Sequence, residues 1–219
     1  MDDTLVATWE KWHGAIREYL SIQNLPYDGE EVLTYLGKNC KDVCLTIDSR
    51  HHHIGSLGIE HHASIFRESL MRQFSLKMPR EIPGAGKFLR LMSGYVDQYV
   101  VSGSPPRVIA QVIRRKRWSP FIADCISSET VARGKPDPLI YTATRERLAA
   151  KKEECLIFED SPAGVEAARR AGIRCIAINA RMPVEESDPL ICKVPDFRAL
   201  LSGDTLHRLV GSELRQKSH

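Results

Sequence analysis

Three short stretches carry side chains that together could hold and neutralise a phosphoryl group: Ser102-Gly103-Ser104, Gly134-Lys135-Pro136-Asp137-Pro138 and Glu159-Asp160-Ser161. A hydroxyl beside a small residue with free backbone amides can cradle a phosphate where a helix begins. A lysine supplies a fixed positive charge to phosphate oxygens. Two adjacent carboxylates suit magnesium, a hard ion that prefers oxygen ligands. Phosphoryl transfer asks mainly for positioning and charge neutralisation, and this set supplies both. Singly, each stretch has a plainer account. Ser102 could be a turn residue at a strand end, and Glu159-Asp160 a charge pair favoured by a helix dipole. Their joint placement carries the argument.

That placement follows from the elements around them. Apolar runs near 95–101, 121–127, 155–158 and 173–178 read as strands, with apolar residues on both faces. Helices are expected after them, starting at Ser104-Pro105, Asp137-Pro138 and Ser161-Pro162, where a polar side chain precedes proline at a first helical position. Strand and helix alternate, which predicts an α/β fold: a Rossmann-like parallel sheet flanked by helices. In such a sheet ligands bind outside the carboxyl ends of the strands, where all three stretches lie. The first third differs. Segments 8–23, 30–46 and 59–74 read as helices, with Trp9, Trp12, Ile16, Tyr19 and Leu20 at helical spacing in the first. Pro83-Gly84 closes this helical unit.

In order and approximate spacing, Ser102, the lysine of GKPDP and the acidic pair of FEDSPAGVEAARRAGI match motifs two, three and four of the haloacid dehalogenase superfamily. The chain resembles its branch of phosphoglycolate phosphatases, sugar-phosphate phosphatases and β-phosphoglucomutase. The first motif of that family is Asp-x-Asp-x-Thr. Met1-Asp2-Asp3-Thr4-Leu5-Val6 matches it from the second position onward. In this alignment Asp2 is the second aspartate, and the nucleophile falls one residue before Met1.

The resemblance implies magnesium-dependent hydrolysis of a small phosphomonoester, of sugar-phosphate or phosphoglycolate type, through an aspartyl-phosphate. It implies Asp2 as general acid and base and, through its backbone carbonyl, a metal ligand. Ser102 and Gly103 would hold the phosphoryl group, Lys135 would bridge phosphate and nucleophile, and Glu159 and Asp160 would bind Mg2+. A core of residues 1–6 and 81–219 and an inserted helical cap of residues 7–80 are expected, with Gly37, Lys38 and Asn39 as the substrate-facing loop of the cap. The family sets motif one at the end of a central strand. Without that strand its two neighbours would lack their pairing partner. The alternatives are phosphoglucomutase-like transfer, or an inactive relative that binds a ligand or partner. Dehalogenation is disfavoured, because it does not use the metal that an acidic pair implies.

Composition narrows the field. A net charge of +3 over 219 residues argues for no polyanionic partner. Arg114-Arg115-Lys116-Arg117 closes a helix, where positive charge is favourable, and no aromatic set accompanies it; nucleic acid is not an expected partner. No apolar stretch is long enough to span a membrane, and the acidic N-terminus does not read as a secretory signal. Six scattered cysteines, three in strand-like apolar runs, read as free thiols of a reducing compartment, so a cytoplasmic location is expected. Cys40, Cys44 and the nearby histidines fit no standard zinc spacing. His61-His62 are expected on an exposed helix face, and Trp9 and Trp12 to pack within the cap or against the core.

Overall fold

The computed structural model describes residues 1–35, 37–178 and 190–201. It is an α/β protein with parallel strands and a helical region inserted near its N-terminus. The parts of the expected core at 179–189 and 202–219 lie outside the described residues.

The helical region holds α1 (Trp9–Ile22), α2 (Cys40–His51) and α3 (Gly58–Leu76). Helix α1 buries Ala15, Ile16, Tyr19 and Leu20, a stripe at helical spacing that packs on α3. The helix expected over 30–46 is divided. A 3-10 turn spans Glu31–Tyr35, Gly37 adopts φ +77°, and Asn39 starts α2 by accepting a hydrogen bond at Oδ1 from the Asp42 amide (2.8 Å). A left-handed glycine followed by a capping side chain ends one helix and begins another. His62 is 2 % exposed, not solvated as expected: its Nδ1 lies 3.0 Å from the Tyr19 hydroxyl, which also meets His53 Nε2 at 2.7 Å. With its Nε2 3.2 Å from the Ile54 carbonyl, both ring nitrogens of His62 have partners, without which burial would be costly.

The chain leaves and re-enters the α/β part through two adjacent strands of backbone. The Ala7 amide donates to the Arg80 carbonyl (2.7 Å), the Ile82 amide to that of Leu5 (2.9 Å), and Val6 bridges Glu81 antiparallel. Pro83-Gly84 then opens α4 (Ala85–Met92), a helix not anticipated from the sequence. The remainder runs β1 (Tyr99–Ser102), α5 (Pro106–Arg115), β2 (Asp124–Ser127), α6 (Leu139–Arg147), β3 (Leu156–Glu159), α7 (Pro162–Arg170), β4 (Arg174–Ile178), β5 (Ile191–Val194) and α8 (Arg198–Leu201). Ser161 caps α7 as expected, accepting from the Gly164 amide (3.1 Å). Ser104 does not cap α5; that helix starts after Pro105, and the Ser104 hydroxyl turns toward Asp2.

Among the described residues β1 to β5 pair only in parallel, and they form two blocks, β1-β2 and β3-β4-β5. A cleft of about 550 Å³ lies between them, lined by Tyr99, Val100 and Val101 on one side and Leu156, Ile157 and Phe158 on the other. Phe88 and Phe197 border it, as do Ile173 and Leu148. The cleft leaves all three apolar residues of β3 only half-buried, whereas Cys175–Ile178 of β4 are buried throughout.

Candidate active site

The carboxyl ends of β1 and β3 and the first residues of the chain meet at one cavity of about 50 Å³ that opens to solvent. Asp2, Ser102, Gly103, Lys135, Glu159 and Asp160 all line it, and so do Gly37 and Lys38. Asn39 is not among the lining residues; its amide caps α2 and reaches the Ser128 carbonyl (3.4 Å).

Asp2 is held from three directions. Its Oδ2 accepts from Ser102 Oγ (2.6 Å), both oxygens accept from Ser104 Oγ (3.0 Å), and Oδ1 accepts from the indole Nε1–H of Trp12 (3.2 Å). The Ser104 amide donates to Ser102 Oγ (3.1 Å), fixing that hydroxyl at the start of the loop. Asp160 accepts a hydrogen bond from Thr4 Oγ1 (2.8 Å). Lys135 and Glu159 form a buried ion pair, and Tyr141 donates its hydroxyl hydrogen to the same Glu159 oxygen. The Ser161 hydroxyl lies 3.3 Å from the other. Glu159 is therefore the counter-ion of Lys135 in this arrangement.

The electrostatics separate the two neighbouring carboxyls. Burial pushes the Glu159 carboxyl up, but the charge and hydrogen bond of Lys135 outweigh it and hold it below its usual range. Burial, then the charges of Glu159 and Asp3, raise the Asp160 carboxyl to about 8. A crowd of oxygen donors that repel one another is what a hard divalent ion relieves, so Asp160, Glu159 and the Asp2 carbonyl fit magnesium as a donor set. Among the described residues no three His, Cys, Asp or Glu side chains converge as a ligand cluster.

The helical region closes the cavity from above. At Gly103 a Cβ would stand 2.8 Å from the Lys38 carbonyl oxygen, and at Gly37 one would stand 2.5 Å from Ser161 Oγ. Both glycines permit the loop at Gly37-Lys38 to approach the Ser102-Gly103 loop and the start of α7. Trp9, Trp12, His13, Ile16, Val32 and Tyr35 supply the rest of the upper wall. Sequence reasoning assigned the tryptophans to packing alone. The helical spacing of Trp9, Trp12 and Ile16 marks an inward face, and periodicity does not distinguish a face turned to a core from one turned to a cavity. Ser104, Tyr141 and Thr4 also escaped single assignment, since a hydroxyl at a strand or helix end is ordinary.

Residues 1–172 match the family described as haloacid dehalogenase-like hydrolase, and the chain belongs to that family. Its matched relatives fall in the phosphoglycolate and sugar-phosphate phosphatase branch. It is 25% identical over 204 residues to the validoxylamine A 7'-phosphate phosphatase of Streptomyces hygroscopicus subsp. limoneus, covering 90% of this chain and 93% of that one. It is 26% identical over 182 residues to a bifunctional riboflavin kinase/FMN phosphatase of Arabidopsis thaliana, 81% of this chain but 46% of that protein. Against several other relatives, too, it spans about half their length. In fold it is similar to CbbY of Rhodobacter sphaeroides in complex with phosphate, with TM-score 0.76, 21% identity and 91% and 93% of the two chains covered. No helix among the described residues is long and apolar enough to cross a membrane.

Proposed function

We propose that this protein hydrolyses a small phosphomonoester, of sugar-phosphate or phosphoglycolate type, by way of an aspartyl-phosphate, with residues 7–80 as the cap over the site. The observation that carries the reading is the convergence of Asp2, Ser102, Lys135 and Asp160, far apart in sequence, on one cavity. The relatives that bear phosphatase names support the same class.

The nucleophile is assigned to an aspartate joined to Met1. Its carboxylate oxygen forms a bond to phosphorus as the bond from phosphorus to the leaving oxygen breaks. Asp2 gives its proton to that leaving oxygen, then takes one from the water that displaces the aspartate and frees phosphate. Ser102 Oγ and the Gly103 amide donate to phosphoryl oxygens, and the Lys135 ammonium balances their charge. Asp160, Glu159 and the Asp2 carbonyl would hold Mg2+, which would supply further charge neutralisation at the phosphoryl group.

The cleft between β1 and β3 supports the position of that aspartate. Both strands end at the site and each has one edge unpaired among the described strands. Strands lie about 4.8 Å apart, rise about 3.3 Å per residue and pack about 10 Å from the next layer, so one strand residue takes up roughly 160 Å³. A cleft of about 550 Å³ then holds three or more. Met1 lines both the cleft and the cavity, so a strand in the cleft delivers its last residue to the site.

Three extensions at Met1 test this: an apolar segment ending in Phe-Asp, the same segment ending in Phe-Asn, and a Gly/Ser segment of equal length. Both apolar forms are expected to melt about 8 °C or more above the Gly/Ser form. Several side chains gain about 1.5–3 kcal/mol each, and each 1 kcal/mol shifts a domain of this size by about 2–4 °C. Only the Asp form is expected to release phosphate with Mg2+ from a panel of phosphomonoesters. An Asp form that folds and turns over nothing on the panel would refute the phosphatase reading.

Asp160 gives a second test, independent of turnover. A carboxyl titrating near 8 must lose its proton before it can hold a cation, so metal binding releases that proton. Its raised value also means that the stability it lends the metal-free fold is present at low pH and lost as pH rises through about 8. Millimolar Mg2+ is therefore expected to raise the melting temperature more at pH 8.5 than at pH 6, and not at all in D160N. A shift independent of pH would count against Asp160 as the ligand.

A further inference from the structure

Lys135 stands on no strand or helix, so other contacts have to fix where its ammonium lies. Residues 128–134 lead to it from the end of β2. They form one 3-10 turn, Ser128–Thr130, and then run without regular structure. The hydrogen bonds within this loop are local: Thr130 Oγ1 donates to the Ser127 carbonyl (2.7 Å) and the Val131 amide to that of Ser128 (3.4 Å). Long-range polar contacts come from α2 and α3 of the helical region. Arg67 Nε, on α3, donates to Glu129 Oε2 (2.9 Å), and the Glu129 side chain is only 11 % exposed. Asn39 Nδ2, at the start of α2, donates to the Ser128 carbonyl (3.4 Å), and the buried Cys40 lies beside Glu129. At the far end of the loop the Gly134 amide faces the Asp42 carboxylate. A Cβ at Gly134 would overlap Asp42 Oδ2 and stand 3.0 Å from Asn39 Nδ2, so glycine beside Lys135 is what lets α2 come this close.

We infer that Asp42 and Arg67 are positioning residues for Lys135: the first turn of α2 and the middle of α3 clamp residues 128–134 at both ends and so set the ammonium against the phosphoryl group. The inference rests on the phosphomonoesterase reading above, because that reaction is what needs a charge at a fixed point. A loop stripped of its tertiary contacts opens locally, and a charge aimed at a transition state has its full effect only when it is held there in advance. Neither Asp42 nor Arg67 is among the residues that line the cavity, so contact with substrate does not account for an effect of changing them. Asp42 also lies near Lys38, which does line the cavity. The two lysines are therefore separated by double-mutant cycles.

In the Asp-extended chain, Asp42→Ala and Arg67→Ala are each expected to lower kcat/KM for an alkyl phosphomonoester about tenfold, mainly in kcat, as misplacement of a reacting group by a remote change does. In a Lys135→Met background the same changes are expected to cost less than about twofold, because the group they place is gone. In a Lys38→Met background the loss should stay at about tenfold. Asp42→Asn keeps an oxygen for the Gly134 amide and Arg67→Lys keeps a cation for Glu129, so both should restore most of the activity. Losses of equal size with and without Lys135, or no loss, overturn the inference. Amide hydrogen exchange on the same chain needs no turnover. Asp42→Ala and Arg67→Ala are expected to raise exchange across residues 129–137 by about tenfold or more and to leave 102–104 and 159–161 unchanged. If the extended chain hydrolyses nothing, that local rise supports the clamp although the phosphatase reading has failed. Exchange unchanged at 129–137, or raised equally in all three segments, refutes it.

Discussion

Lys135→Met in the Asp-extended chain is expected to lower kcat/KM by about 10²–10³, the usual loss when one fixed charge aimed at a developing anion is removed. The same change tests the fold, because Lys135 and Glu159 are both nearly inaccessible to water. Without the ammonium, Glu159 keeps only Tyr141 and Ser161 as partners. Leaving one member of a buried pair costs about 3–5 kcal/mol, a fall in melting temperature of roughly 6–20 °C at this size. The pH dependence identifies the cause. With Lys135 present, the Glu159 carboxyl is held low, so its contribution is present above the ordinary glutamate range and fades as pH falls through the depressed value. Without Lys135, burial outweighs the remaining Tyr141 hydrogen bond and raises that carboxyl, so the variant loses stability as pH rises. The gap in melting temperature between the two proteins should widen from pH 5 to pH 8. Adding Glu159→Gln to Lys135→Met should recover a large part of the stability and none of the activity. Equal melting temperatures for the two proteins across that range would mean that the pair carries no weight in the fold.

The α/β alternation was legible because each element carries its own local signal. Apolar runs such as Ile173–Ile178 have no amphipathic reading, and proline after a polar residue sets a helix start, as at Ser161-Pro162. The convergence of Ser102 and Asp160 on one cavity was legible for a related reason: each follows directly on such a run, where a parallel sheet gathers its ligand-binding groups, while Lys135 lies further on and was marked by its Gly-Lys-Pro-Asp-Pro loop. The elements that were missed lack those signals. Helix α4 is eight residues long and follows Pro83-Gly84, which reads as a break. The division of 30–46 turns on Gly37, which takes a positive φ and where a Cβ would meet Ser161, some 120 residues away in sequence. His62 looked like a surface residue because its partners, Tyr19 and the Ile54 carbonyl, come from other parts of the cap. The aromatic wall was hidden in plain periodicity. In each case the deciding contact is tertiary, and a local pattern holds no trace of it.

Asp2→Asn isolates proton transfer from everything else the site does. Asparagine keeps the shape: its amide oxygen in the place of Oδ1 can accept from Trp12 and Ser104, and its NH2 in the place of Oδ2 can donate to Ser102 Oγ, so the melting temperature is expected to move by no more than a few degrees. It has no proton to give and takes none from water. In the Asp-extended chain kcat/KM for an alkyl phosphomonoester is expected to fall by about 10²–10⁴, the range that general acid–base catalysis supplies. The loss should depend on the leaving group. An alkoxide needs its proton as the bond to phosphorus breaks, whereas a nitrophenolate departs without one, so 4-nitrophenyl phosphate should lose far less in the first step. The second step still needs a base. With that substrate the variant should release one equivalent of nitrophenol in a burst and hold the phosphoryl group on the enzyme, visible as a mass increase of the intact chain. Trp12→Phe, which removes one of the three donors that hold the Asp2 carboxylate, should give a milder version of the same pattern, about fivefold, with no burst. Equal losses for the alkyl and nitrophenyl esters in Asp2→Asn would mean that Asp2 only positions its neighbours, and the proton would then have to come from another group in the cavity.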